Sequence, residues 1–270
     1  MKYMADLHTH STASDGQFPP TQLVALAQKA GVTCLAITDH DTLDGVAEGL
    51  AAGRGLGLTV LPGVELGAKE HKNLHIVGLN YQLGPSPLSQ LCQTLKEGRD
   101  QRKYRIIDFL AEKGVPVTLE EVEAVAGGEI SARPHFAQVM VQRGYVANTR
   151  EAFDRYLDTS EYKRIERFKA PAQDCIAAIH AAGGKAVMAH PYQLGYPDDQ
   201  LEATIAQLKD FGLDALECYY PKHTPQQVKQ YLALAKSYDL FVSGGSDFHG
   251  PKVHPETVIA PVELELDWLF

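Results

Sequence analysis

Seven short, near-continuous apolar runs constrain this chain more than any other feature. They are Tyr3–Leu7, Cys34–Thr38, Leu58–Leu61, Leu74–Leu79, Lys185–Ala189, Ala215–Tyr219 and Leu240–Ser243. Runs of this length without strict alternation read as strands buried on both faces. Amphipathic helical patterns stand between several of them: Pro19–Ala30, stopped by Gly31, Pro171–Ala182, stopped by Gly183, Asp199–Phe211, stopped by Gly212, and Pro225–Tyr238. Glycine just past a helix end supplies the left-handed conformation that terminates it. Strands alternating with helices predict an α/β fold with a parallel sheet, open or closed into a barrel.

From about Ser86 to Tyr162 the alternation stops, and only helical patterns appear: Arg102–Lys113, Leu119–Ala126, Pro134–Gly144 and Glu151–Leu157. Thr118 and Glu121 have capping-box spacing, each able to satisfy the other's orphan amide at a helix start. The reading is a body of residues 1–85 and 163–270 with a small helical insertion over 86–162.

Composition excludes several classes. With 25 Lys and Arg against 34 Asp and Glu, the net charge is −9. Duplex DNA binding usually needs a basic patch. The densest basic segment, Lys163–Lys169, is interrupted by Glu166. No stretch approaches the ~18–20 apolar residues of a membrane span. The start, MKYMADLHTH, lacks the apolar core of a signal peptide. A cytoplasmic protein that binds neither membrane nor duplex DNA is expected. The four cysteines, Cys34, Cys92, Cys175 and Cys218, form no CxxC and suggest neither a disulfide framework nor a thiolate zinc site.

The histidines and carboxylates fall at the strand ends. His8 and His10 follow the first run, with Asp15 in the loop beyond. His40 follows the second, between Asp39 and Asp41. Glu65 follows the third, His75 lies inside the fourth, and His190 follows the fifth. Asp247 and His249 follow the last. Ligands of parallel α/β sheets gather at the carboxyl ends of strands. Two imidazoles two residues apart on extended chain share a face. Each residue alone has an ordinary explanation as a turn contact, a core histidine or a loop charge. Together they predict a multinuclear site. A thiolate-free set of imidazole and carboxylate suits Mn²⁺, Zn²⁺ or Fe²⁺, with Mn²⁺ preferred. Nine candidates are too many for one ion, so two or three are expected. Three divalent ions among three carboxylates would leave the site positive, as a phosphate ester requires.

The segments DLHTHSTASDG, AITDHDT, GVELGA, HIVGL, MAHPY and GSDFHG, in this order, resemble the motifs of the polymerase and histidinol phosphatase (PHP) family. The resemblance implies a distorted seven-stranded (β/α)7 barrel carrying a trinuclear metal centre. It assigns His8, His10, Glu65 and Asp247 to a first ion, Asp15, His40 and His249 to a second, and Glu65, His75 and His190 to a third. The insertion, with SARPHFA and YYPKHT, is similar to a subgroup of 3′,5′-nucleotide bisphosphate phosphatases and 5′-to-3′ exoribonucleases.

That subgroup implies substrate contacts from Ser131, Arg133 and His135, at a helix start that favours phosphate, and from His223. Lys222 and the Arg102–Lys103 pair read as solvated charges. The expected reaction is metal-assisted hydrolysis of the 3′-phosphate of a nucleoside 3′,5′-bisphosphate such as pAp, giving a 5′-mononucleotide and phosphate. Arg133 and His135 would hold the 5′-phosphate and assist catalysis, His135 as a candidate donor to the leaving alkoxide. Asp39 and Asp41 are expected to orient ligands. Short 5′-phosphorylated single-stranded RNA would be a second substrate, cleaved by exonuclease action. The alternatives are another phosphatase of the family, of the histidinol phosphate type, and a non-catalytic metal-binding module.

Overall fold

The computed structural model describes residues 1–126 and 133–270. They divide into a unit of Met1–Gln93 with Lys169–Phe270 and a unit of Thr94–Phe168.

The first unit holds eight strands: β1 (Lys2–Asp6), β2 (Cys34–Ile37), β3 (Thr59–Gly67), β4 (His75–Leu79), β5 (Lys185–Met188), β6 (Ala215–Tyr219), β7 (Phe241–Gly244) and β8 (Val262–Glu265). They form one nearly closed, barrel-shaped sheet in the order β7-β6-β5-β4-β3-β2-β1-β8. The helices of this unit are α1 (Pro20–Lys29), α2 (Val46–Leu56), α7 (Ala172–Ala181), α8 (Asp198–Asp210) and α9 (Pro225–Ser237). The helix α3 (Pro87–Glu112) starts in this unit and ends in the other.

Three features depart from the seven parallel strands expected. First, β4 is antiparallel to both β3 and β5. Only residues 68–74 join β3 to β4, and a parallel partner needs a crossover of about a dozen residues or more. Second, β3 extends past Pro62 to Gly67, so Glu65 lies within a strand and not in the loop after one. Third, β8 runs antiparallel to β1. Its sequence, VELE, buries only Leu264 fully, with Val262 partly buried beside it, and leaves both glutamates exposed, so it carries little apolar signal.

Period-two alternation sorts β2 between two cores. Cys34 and Ala36 face the barrel interior with Ala5, Leu61, Val77 and Val187. Leu35 and Ile37 face outward against Leu23, Val24 and Ala27 of α1. The open side of the sheet is bridged beyond β1 and β7. Leu7 N–H donates to Gly244 O at 3.1 Å, Asp247 N–H to His8 O at 2.8 Å, and His10 N–H to Phe248 O at 2.9 Å. These seam residues include the metal-ligand candidates His8, His10 and Asp247.

The second unit is helical, with no strand among its described residues. It contains the rest of α3, then α4 (Leu119–Ala126), α5 (Arg133–Gln142) and α6 (Thr149–Ala152), which runs into a π-helical turn over Phe153–Leu157. Ile106, Leu110, Val122, Phe136, Met140 and Leu157 build its core. The capping box is present: Thr118 N–H donates to Glu121 Oε2 at 2.9 Å, and Glu121 N–H to Thr118 Oγ1 at 3.3 Å.

Candidate metal centre

One end of the barrel gathers all nine candidate ligands. The extended chain after β1 supplies His8 and His10, and the next loop Asp15. Segments after β2, β5 and β7 supply His40, His190, and Asp247 with His249. Because β4 is reversed, its first residue, His75, faces the same end as the last residues of its neighbours.

Glu65 is the hub. Its Oε2 lies 3.3 Å from His8 Nε2, 3.2 Å from His10 Nε2 and 3.0 Å from His40 Nδ1. Its Oε1 lies 2.6 Å from His75 Nδ1 and 3.0 Å from His190 Nε2. Asp247 Oδ1 stands 3.2 Å from His10 Nε2 and 3.6 Å from His8 Nε2. Asp15 Oδ1 is 3.3 Å from His249 Nε2, and its Oδ2 is 3.8 Å from His40 Nε2. Three sets have donor atoms converging within 4.8 Å: His8, His10, Glu65 and Asp247; His10, Asp15, His40 and His249; and His40, Glu65 and His75. His190 joins the third through Glu65.

The donor chemistry fits divalent cations. Among the described residues, His8 Nε2, both ring nitrogens of His10, Glu65 Oε2 and His190 Nδ1 are buried without a hydrogen-bond partner. Each such buried polar atom costs about 1–3 kcal/mol, and imidazole lone pairs with carboxylate oxygens are ligands for such ions. The charge distribution agrees. Burial alone would lower the pKa of His8, but Glu65, Glu217 and Asp247 raise it well above its usual value. Burial opposes protonation of His10 too, yet the Asp247 and Glu65 carboxylates beside its ring raise its pKa to about 10. Burial works against the charge of Glu65, and His40, His75 and His8 outweigh it, holding Glu65 well below the carboxylate range. The carboxylates thus demand nearby positive charge, which bound cations would supply in place of protons.

Several side chains hold these groups in place. The buried Glu217 accepts from His8 Nδ1 at 3.0 Å and from His190 N–H at 2.6 Å. Asp39 accepts from Ser11 N–H, Ser11 Oγ and Ser14 Oγ, each at 2.7 Å, fixing the loop that ends at Asp15. Asp41 accepts from Gly67 N–H at 3.2 Å, at the end of β3. Tyr220 donates to Asp247 Oδ2 at 3.1 Å. Asp41, His190 and Asp247 have φ of 55°, 27° and 54°. Left-handed backbone at non-glycine residues is costly and concentrates at functional sites.

The sequence offered little to single out Glu217 or Tyr220. The usable signal for Glu217 is a lone charge inside the apolar run Ala215–Tyr219.

The cluster floors a cleft of about 500 Å³, also lined by Asn73, Tyr192, Gln193, Tyr220, Lys222 and His254. Lys222, read from sequence as a solvated charge, lies on this cleft, paired with Glu256 at 3.0 Å. His223 does not line it. Its ring packs against Tyr220 and Tyr231, with Nδ1 3.0 Å from Cys218 O. Arg133 and His135 belong to the second unit. Arg133 opens α5, pairs with Asp158 at 2.9 Å and sits over the Phe153 ring. His135 is half-buried in the same helix, and Ser131 lies outside the described residues.

Comparison with known proteins converges on one family. The PHP domain family matches residues 6–166. A 5′-3′ exoribonuclease of Haemophilus influenzae is 38% identical over 247 residues, 91% of this chain and 90% of the relative. A 3′,5′-nucleoside bisphosphate phosphatase of Chromobacterium violaceum is 31% identical over 248 residues, 91% of this chain and 87% of the relative. The structure of an amidohydrolase from Chromobacterium violaceum, solved with bound sulfate and no metal, aligns with a TM-score of 0.77 at 29% identity. It covers 97% of this chain and 91% of the other. No helix among the described residues is long and apolar enough to cross a membrane.

Proposed function

The chain belongs to the PHP family of metal-dependent phosphoesterases, and from that footing we propose that it hydrolyses the 3′-phosphate of nucleoside 3′,5′-bisphosphates. The observation that carries this reading is Glu65, whose two oxygens lie within 3.3 Å of five imidazoles at the floor of the cleft. Such an arrangement suits several cations held around one shared carboxylate.

His8, His10, Glu65 and Asp247 would hold one ion, Asp15, His40 and His249 a second, and Glu65, His75 and His190 a third. Divalent ions there would lower the pKa of water and offset charge on the phosphoryl oxygens. The chain's own contribution is positional. Glu217 fixes the His8 ring, Tyr220 fixes Asp247, and Asp39 anchors the loop of Asp15. Arg133 offers a planar fork for the 5′-phosphate, exchanging Asp158 for the substrate. His135 would share that phosphate or return a proton to the 3′-oxygen as it leaves.

A second reading has specific support: the relative at 38% identity is a 5′-3′ exoribonuclease. The two reactions break the same bond, between phosphorus and the 3′-oxygen of a 5′-phosphorylated nucleotide. They differ only in whether the phosphate carries a further nucleoside. Short 5′-phosphorylated RNA is therefore the second substrate class.

Phosphate and nucleotide release from pAp and from short 5′-phosphorylated RNAs, measured with Mn²⁺-loaded protein, tests both. Arg133→Ala should raise KM for pAp far more than for a simple phosphomonoester, and equal loss on both would remove Arg133 from recognition of the second phosphate. Fully metal-loaded protein that releases product from no phosphoester would leave a non-catalytic metal-binding module.

A further inference from the structure

A second cleft, of about 430 Å³, adjoins the first. The two share Tyr192, which follows the candidate ligand His190 by two residues and lines both. The ring of Tyr192 lies 5.7 Å from that of Tyr220, whose hydroxyl reaches Asp247. The second cleft thus begins one side chain away from the metal cluster.

Its chemistry differs from that of the first cleft. Tyr192, Tyr196 and Tyr231 give it aromatic walls, and Gln226, Gln230 and Asp198 give it polar edges. No Lys, Arg or His among the described residues lines it, so it is poorly suited to phosphate. Gln227 is already committed, its carboxamide oxygen accepting from Thr224 N–H at the start of α9. Among the described residues, the carboxamides of Gln226 and Gln230 have no protein partner. Aromatic faces beside uncommitted carboxamides match a flat heterocycle, stacked on a ring and hydrogen-bonded at its edge. A carboxylate at that edge accepts from an exocyclic amine, which adenine, cytosine and guanine carry and uracil lacks.

Each cleft has the volume of a single small-ligand site. A nucleoside bisphosphate needs one such cleft, whereas an RNA end places its second nucleotide beyond the scissile phosphate. We propose that the second cleft is a nucleobase subsite for the second nucleotide of an RNA end, the one that keeps the scissile phosphate, selective for bases bearing an amino group. This rests on the phosphoesterase reading of the metal cleft and adds to it a determinant of RNA over mononucleotide.

The test compares kcat/KM for pAp, pApA and pApU in wild type, Gln226→Ala/Gln230→Ala and Asp198→Asn. The glutamine variant should lose about tenfold on pApA and nothing on pAp. Asp198→Asn should narrow the preference for pApA over pApU. Equal loss on pAp and pApA would place the first nucleotide here and overturn the proposal, as would no loss on either. If wild type turns over none of these substrates, the phosphoesterase reading fails on its own. Calorimetric binding of pApA and pAp then decides the subsite: weaker pApA binding in the glutamine variant with pAp unchanged supports it, and unchanged binding of both refutes it.

Discussion

Glu217→Gln isolates the support of the metal cluster from its ligands. The carboxylate of Glu217 makes two contacts at once, accepting from His8 Nδ1 and from the backbone N–H of His190. With Nδ1 protonated, His8 presents the lone pair of Nε2 toward Glu65 and Asp247. Glutamine keeps the shape but carries one acceptor and one donor. If its oxygen stays on His190 N–H, its amide faces His8 Nδ1, and the ring must move its proton to Nε2, where it blocks coordination. If its oxygen stays on His8, the amide meets His190 N–H donor to donor, where 2.6 Å now separates donor from acceptor. Either way one charge-assisted hydrogen bond is lost, worth about 1.5–3 kcal/mol. That corresponds to roughly 10–100-fold in metal affinity, the range for partners that orient metal ligands. Chelator-competition titration with Mn²⁺ reads the affinity, and circular dichroism shows whether the fold is kept. A folded Glu217→Gln protein with wild-type affinity would refute the tautomer argument.

Three further outcomes follow from the same geometry. Because carboxylates raise the pKa of His8, His10 and His40 without metal, cations must displace protons. Metal affinity should fall as pH falls, and calorimetry in buffers of different ionisation enthalpy should show net proton release; zero release would contradict this. Asp39→Ala strips three acceptor contacts from Ser11 and Ser14, so it should cost about 2–3 kcal/mol and lower metal stoichiometry through Asp15; denaturant unfolding and metal analysis check both. Burial opposes the charge of Asp214, but Ala186 N–H, His180 and Lys185 hold its pKa below the usual value. Its contribution is complete above about pH 4 and is lost as pH falls through that lowered pKa, so Asp214→Asn should cost about 1–2 kcal/mol at neutral pH and less in acid, read from unfolding midpoints across pH.

Much of the barrel is written in local sequence, and the exceptions have physical causes. The runs that became β2, β5 and β6 are apolar because strands under helices are covered on both faces. The helix α2 is harder to see, since VAEGLAAGRGL holds glycines at 49, 53 and 55. Two of them serve packing over propensity: a Cβ at Gly49 would lie 2.4 Å from Ile37 Cδ1, and one at Gly53 equally close to Val60 Cγ2. The reversal of β4 is a property of the connection. Its apolar pattern reads the same in either direction, and only the short link after Gly67 carries the information.

The site divides along a similar line. The candidate ligands are visible by type, because imidazoles and carboxylates stand out at the ends of apolar runs. Residues that act by position are visible only when the chain is folded. In YYPKHT the eye goes to His223, yet the chain turns so that Tyr220 reaches Asp247 while His223 packs beneath it, its Nδ1 spent on Cys218 O. The seam that closes the sheet shows the same dependence. Backbone bonds from Asp247 to His8 and from His10 to Phe248 join the segment after β1 to the segment after β7, more than 230 residues apart in the chain. The residues making those bonds include His8, His10 and Asp247, three of the four side chains proposed for the first ion. Closing the barrel and assembling that set are one structural event, which is why no single segment of the sequence could have displayed it.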